Sequence, residues 1–470
     1  MPLIIGAKSA SAGVTIANSC RFNYADSYLS RTASTNNNSV GKWTFSCWVK
    51  RNKITYESNL ISFYSDGSLR SALRFDGDDK IRFYEYNSTT IVAKVTNQLF
   101  RDTSGWYHIV FAVDKTVASP DTQIYINGVA TTSWSTDDDY TQDESGTFDD
   151  AETLEINAQN AGGIGGCEMA HVHFCDGTKY AASDFGEFNE DSPTIWQPKS
   201  ADDISGLTFG DNGFYLNFED SADLGADASG NSNDFTATNL DATDQATDTP
   251  TNNFMVMNPL SKDEMTFSEG NCKVVTASDP RTDDNARGTM GVSSGKWYWE
   301  VKGSGGTAPV VAGICFDKLK MGSDLSGLTG VYAIQNAGQT YATKRENGTT
   351  AETTGFPNPV NDDIINLAFD ADNAKLYIGI DGTYYNQAGS TGDPAAGSNE
   401  TFSSIDTSYF WLPWIESRGV SQLAEMNFGG CPAFTVSSAE ADGNGYGAFE
   451  YAPPSGYLAL CTKNLGSDGG

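Results

Sequence analysis

The sequence predicts an all-β protein made of two antiparallel β-sandwich domains joined by an acidic connecting segment. Three observations predict it. Strand-length segments alternate apolar and polar residues with a period of two, clusters of Gly, Asn and Asp punctuate them, and the 3.6-residue helical period is hard to find. A chain of 470 residues exceeds one ordinary core. The expected division is residues 1–200 for the first sandwich, 201–265 for the connection, and 266–470 for the second sandwich with a C-terminal tail.

Trp43, Phe45, Cys47 and Val49 alternate with Thr44, Ser46, Trp48 and Lys50, the pattern of a half-buried strand. Leu73 and Phe75 lead into the turn cluster Asp76-Gly-Asp-Asp79, after which Ile81, Phe83 and Glu85 alternate again: a hairpin. Trp106 to Val113 is apolar on both faces, as a strand buried between layers should be. Gln123 to Ile126 ends at Asn127-Gly128, the strongest short hairpin signal. Between Ala201 and Leu260 there are many acidic residues and not one Lys or Arg, which reads as a linker or loosely packed connection around a strand-like island at Phe214 to Phe218. The pattern resumes with Trp297, Trp299 and Val301 facing one way and Lys296, Tyr298 and Glu300 the other. Ile365, Leu367 and Phe369 then pair by alternation with Leu376, Ile378 and Ile380 in a second hairpin. Gly41-Lys-Trp43 is echoed by Gly295-Lys-Trp297, each opening an aromatic strand.

A net charge of −32 repels phosphate backbones and anionic headgroups, so nucleic acid and membrane insertion are excluded as partners. No stretch is long and apolar enough to span a bilayer. The opening Met1 to Val14 does not read as a cleaved signal peptide. The eight cysteines are scattered, with no CxxC pairs, and read as small buried hydrophobes.

Residues 40 to about 180 resemble a laminin-G-like or concanavalin A-like jelly roll, through Trp43-Thr-Phe-Ser-Cys-Trp-Val49, Gly105-Trp-Tyr-His-Ile-Val-Phe-Ala-Val-Asp114 and Ile124-Tyr-Ile-Asn-Gly128. Residues 288 to 430 resemble a SPRY domain, through Gly295-Lys-Trp-Tyr-Trp-Glu-Val301, Ala312-Gly-Ile-Cys-Phe-Asp317, Ile365-Asn-Leu-Ala-Phe-Asp370 and Lys375-Leu-Tyr-Ile-Gly379. The whole chain is similar to structural proteins of marine and related tailed phages. The segments that carry this likeness are Asn18-Ser-Cys-Arg-Phe-Asn23 with Tyr28-Leu-Ser-Arg31, Asp227-Ala-Ser-Gly-Asn-Ser-Asn-Asp-Phe235, and Pro454-Ser-Gly-Tyr-Leu-Ala-Leu-Cys-Thr-Lys-Asn-Leu465. The resemblance implies two jelly-roll-type sandwiches and a non-enzymatic virion component, a tail fibre or receptor-binding protein made in the host cytoplasm and displayed on the particle. Its partners would be other virion proteins and a host cell-surface glycan or protein, and it implies a homo-oligomer, trimeric if the protein is a fibre. The alternatives are a capsid-decoration or scaffolding protein, and a polysaccharide depolymerase.

Four candidate sites follow. Jelly-roll glycanases need paired carboxylates, and no Glu-x-Asp-x-x-Glu constellation is present; Glu300 lies between aromatics without an acidic partner in its strand. His171-Val-His173-Phe-Cys175 would aim three zinc ligands to one face of a strand, but its apolar interleaving favours core packing. Asp227, Asn231 and Asp234, with Asn233 beside them around Gly230, offer the oxygen-rich loop that calcium favours, and calcium is the one cofactor the sequence suggests. Clusters of Asn and Gly also simply make turns. Trp134 followed by Asp137, Asp139 and Tyr140 offers an aromatic face and hydrogen-bonding groups for a sugar, against the reading that Trp134 faces the core.

Overall fold

A computed structural model describes residues 14–23, 26–33, 41–147, 152–200, 204–276, 284–304, 311–321, 329–336, 338–417 and 422–468. The chain opening considered above lies outside them, save Val14. The protein is all-β, as the alternation predicts, with a short α-helix at Thr462–Asp468. It divides into two compact units, one over Ala10–Thr251 and one that includes Asn252–Gly470.

The first unit is built on two large antiparallel sheets, with a two-stranded one, Gly186–Phe188 and Trp196–Pro198, beside them. One runs in the order Val129–Ala130, Asp121–Ile126, Trp106–Asp114, Lys42–Arg51, Cys167–Asp176, Ser19–Phe22, Gln245–Ala246, with Phe214–Leu216 also paired to Cys167–Asp176. The other runs Trp134–Asp138, Thr89–Thr96, Ile81–Asn87, Leu69–Phe75, Ser58–Asp66, Thr153–Ile156, Tyr28–Thr32, Thr236–Thr238. Their inner faces meet around Trp43, whose ring lies 5.2 Å from that of Phe111 and 5.8 Å from those of Phe83 and Phe174. Both hairpins read from the sequence form in register, with Phe75 opposite Ile81 and Ile126 opposite Val129.

Two expectations need correction. The strand Lys42–Arg51 is buried on both faces after Lys42, not half-buried. Its outer side chains are covered by a cluster containing Tyr180, Phe185, Trp196, Leu207 and Phe209, and by Asp248. The acidic stretch is also not a loose connection between domains: up to Thr251 it belongs to the first unit and adds three strands to its sheets. Its charges are answered from far away in sequence. Lys50 Nζ meets Asp248 Oδ2 at 2.6 Å, fully buried, and Arg21 meets Asp244 at 3.1 Å. A local reading sees only repulsion in such a segment, because its cations lie about 200 residues upstream.

The second unit pairs a sheet in the order Met257–Lys262, Asp284–Gly288, Trp411–Ser417, Val311–Phe316, Val331–Gln335, Thr343–Glu346, Thr349–Glu352 with one running Met265–Ser268, Lys273–Thr276, Leu423–Asn427, Lys296–Ser304, Ile364–Asp370, Lys375–Ile380, Thr383–Tyr385. Trp297, Trp299 and Val301 point into the shared core with Leu367, Ile378 and Trp411. The predicted hairpin is in register, Phe369 opposite Leu376 and Ile365 opposite Ile380. Tyr298 and Glu300, on the other face, are buried as well, because the C-terminal tail lies over them and adds Leu458–Ala459 parallel to Trp297 and Tyr298.

Candidate binding groove

Asn127-Gly128 closes the Asp121–Ile126 hairpin with both residues at positive φ, 47° and 79°, the geometry of a type I′ turn. Glycine is required here twice over: by φ, and because a Cβ would lie 2.3 Å from the Trp196 ring. Asn127 is pinned to the neighbouring strand, its Oδ1 accepting from His108 N at 2.7 Å. Beyond Val129–Ala130 the chain crosses to the opposite sheet through Thr131, Thr132 and Ser133. Asn97 anchors this crossing, its Nδ2 donating to Ser133 Oγ at 2.9 Å and to Trp134 O at 3.0 Å.

The result is an open groove of about 370 Å³ at the rim of the sandwich. Gln98, Asn127, Thr131, Thr132 and Ser133 give it hydroxyl and amide groups, and Ile126, Val129 and Ala130 give it an apolar wall. Such a mixture can bind a neutral, hydroxyl-rich ligand: polar groups fix orientation and apolar surface receives its carbon faces. None of the lining side chains is a carboxylate, imidazole or thiol.

The four residues expected to form a sugar site are not gathered there. Trp134 stands beside the groove, half-buried against the core, with Lys94 Nζ 5.5 Å from its ring centroid. Asp137 and Asp139 are committed to that same lysine at 2.6 and 2.8 Å. Burial alone would push the ammonium down, but its two carboxylates outweigh it and hold Lys94 above its ordinary value. Tyr140 must be removed from the site: its ring is in the core and its hydroxyl donates to Glu85. Its place after a run of aspartates reads as a loop, yet the chain has already turned inward. Sequence reasoning missed Gln98 and Thr131–Ser133, for which Asn127-Gly128 was the only signal.

The calcium candidates do other work. Asp227 Oδ1 accepts from Tyr215 N at 2.9 Å and Ser229 N at 2.8 Å, and its Oδ2 from Ser229 Oγ and Asn233 N, both at 2.8 Å. Asp234 Oδ1 accepts from Asp227 N, and Asn231 Nδ2 donates to the carbonyls of Gly210 and Gly213. The positive charge near the loop is Arg31, whose Nη2 donates to Asn233 Oδ1 at 2.6 Å and Nη1 to Asn212 O at 2.9 Å. These groups tie a loop together, with both oxygens of Asp227 taken by donors of the loop itself. Among the described residues no group of three or more His, Cys, Asp or Glu is placed to hold a metal ion.

The strand carrying His171 and His173 does not aim them alike, because a bulge falls between Ala170 and His173 and His171 sits at φ 46°. All three histidines of the chain belong to one buried aromatic cluster. His173 lies ring-on-ring with Tyr215, 4.4 Å and 4° apart, and neither of its ring nitrogens has a hydrogen-bond partner. His108 stacks on Trp48 at 4.7 Å and accepts from Trp196 Nε1 at 3.0 Å. Burial pushes His108 down to about 3 and His171 to about 4, and His173 well below its ordinary value. In the second unit Glu300 accepts four hydrogen bonds, from Tyr298 Oη, Tyr451 N, Asn427 Nδ2 and Glu450 N at 2.8–3.0 Å, which fills both of its oxygens.

Residues 23–150, within the first unit, match the family model described as the Concanavalin A-like lectin/glucanases superfamily, of the laminin G kind. Among solved structures, the chain is similar to the SPRY domain of human HERC1 at 12% identity, over 36% of this chain and 96% of that one, with a TM-score of 0.29. It is similar to the PSpry domain of TRIM65 at 12% identity, over 36% of this chain and 90% of that one, with a TM-score of 0.27. No curated protein matches the chain.

Proposed function

We propose that this protein is a non-enzymatic surface component of a tailed-phage virion, a tail fibre or receptor-binding protein, whose first unit binds a neutral cell-surface glycan. The observation that carries the binding part is the rim groove, lined by amides and hydroxyls beside Trp134, on a sandwich of a superfamily named for lectins and glucanases. The virion part rests on the likeness of the opening, middle and closing segments to phage structural proteins. A groove this open and this polar holds one sugar weakly, so attachment would rely on many copies acting together.

One feature supports an added contact with other virion subunits or with copies of this chain. Val129, Phe188 and Ile195 are 60, 42 and 40% exposed around Trp196, an apolar patch next to the groove. The purified chain on an array of bacterial surface glycans tests the main reading: retention of neutral glycans supports it, and an empty array overturns it. Release of new reducing ends from a bound polysaccharide would instead identify a depolymerase. Cryo-electron microscopy of intact particles tests the virion assignment.

A further inference from the structure

We propose that the outer face of the sheet built on Leu69–Phe75 and Ile81–Asn87 is a second binding surface, selective for an anionic polysaccharide. It stands apart from the groove and does not rest on it. In the pairing register Arg70 lies opposite both Tyr86 and Tyr64, Arg74 opposite Arg82, and Tyr84 opposite Ala72. Directly opposed residues share a face, so three arginines and three tyrosines stand on the same side of this sheet. All six are partly exposed.

The arginines are held up by the rings. Arg74 and Arg82 each place their guanidinium over Tyr84, 5.1 and 5.3 Å from its centroid, and Arg70 lies 4.8 Å from that of Tyr86. Stacking fixes the planes and leaves their N–H edges to donate. Arg74 is matched by Glu57 at 2.9 Å. Among the described residues Arg82 has no carboxylate partner, and its Nε is buried without an acceptor; Arg70 is bonded to the carbonyl of Gly67. Acids outnumber bases in this chain by 61 to 29. Two arginines without a carboxylate, preorganised on one face, therefore point to a carboxylate or sulfate supplied from outside. Glu155, opposite Ser62, is buried and turned to the amide of Ala161 instead, and exposed Asp138, opposite Ala93, stands on the edge strand of the face.

Arg70 and Arg74 lie four residues apart on one strand, roughly 13 Å, which suits a polymer carrying repeated charges better than one small anion. The ring of Tyr64, opposite Arg70, can receive a sugar ring. The acidic chain repels any polyanion, and it repels a nucleic acid more than a polyuronate, whose single carboxylate per sugar ring spaces the charges further apart.

The test is calorimetric titration of the full chain with sodium alginate, a polyuronate, with dextran as the neutral control. Alginate should bind at low salt and lose affinity in high salt, where exposed charges are screened, and dextran should not bind at this face. The double variant Arg70→Gln/Arg82→Gln should bind alginate about tenfold or more weakly, and Arg82→Lys should lose part of the affinity because it keeps charge without the fork. Thr132→Trp, which fills the groove, should leave alginate binding unchanged, so that failure here is separable from failure of the groove. If the double variant does not fold by circular dichroism, competition on the wild-type chain decides: galacturonate should displace alginate and galactose should not. Absence of alginate binding, equal binding by the double variant, or equal displacement by galactose overturns the proposal.

Discussion

The two units open their central strands in the same way and then diverge. In the first, Lys42 pairs with Asp114 at 2.9 Å, directly across the ladder, and Trp43 drops into the core. In the second, Lys296 pairs with Asp370 at 3.1 Å, again directly across, and Trp297 drops into the core. The divergence lies in how each seals the other face of that strand with later chain. The first unit uses charge against charge, Lys50 with Asp248 and Arg21 with Asp244. The second uses carboxylates against neutral donors. Glu300 takes Tyr298, Asn427 and two backbone amides, and Asp442 takes the amides of Asn444, Tyr446 and Ala459 with Asn464 Nδ2. A buried ion pair can be replaced whole, whereas a carboxylate capping backbone amides cannot, because the amides stay behind.

The largest effect should come from breaking the first seal on one side. Lys50→Met leaves Asp248 buried without its cation and should cost about 3–5 kcal/mol in the first unit, measured by urea unfolding. Adding Asp248→Leu should restore much of that loss, and a double variant no better than the single would contradict the comparison. Next, Glu300→Gln should cost about 2 kcal/mol in the second unit, with no partner change able to rescue it.

Acid should separate the units further. The three histidines lie in the first unit alone and are held below their ordinary value by burial, so the unfolded chain binds protons the folded one refuses. The histidine contribution is therefore full above about pH 6.5 and falls below it, by up to about 1.4 kcal/mol per pH unit for each histidine, while buried Glu168, pushed up to about 8, offsets part of the loss. His173→Phe, which keeps the stack on Tyr215 and gives up no hydrogen bond, should flatten that limb in melts between pH 7 and 4.5. Glu300 is held above its ordinary value, burial outweighing its four hydrogen bonds, so it does not weaken the second unit as pH falls. The smallest effect should be that of Lys42→Ala, whose pair reaches solvent, at no more than about 1 kcal/mol; Lys296→Ala should cost more, because Asp370 is buried and keeps only the donors of Asn373.

The strands were legible wherever period-two alternation and a turn coincided, as at Phe75 to Ile81 and Phe369 to Leu376. Alternation cannot reveal a covering layer, so Trp48, Lys50, Tyr298 and Glu300 read as outward and are buried. The acidic stretch misled for the same reason, since Lys50 and Arg21 are its partners only in three dimensions. Of the sugar-site residues, Trp134 reached the neighbourhood, Asp137 and Asp139 were taken by Lys94, and Tyr140 by the core. The groove itself is made of threonines, a serine and amides, residues too common in sequence to stand out until a hairpin gathers them.

Glycan binding at the rim is tested most sharply by hydrogen–deuterium exchange on the full chain with a neutral glycan retained on the array. Slowed exchange is expected for the amides between Ile126 and Trp134, with the second unit unchanged. Protection confined to the second unit, or none in the rim segment while the glycan is bound, would contradict it.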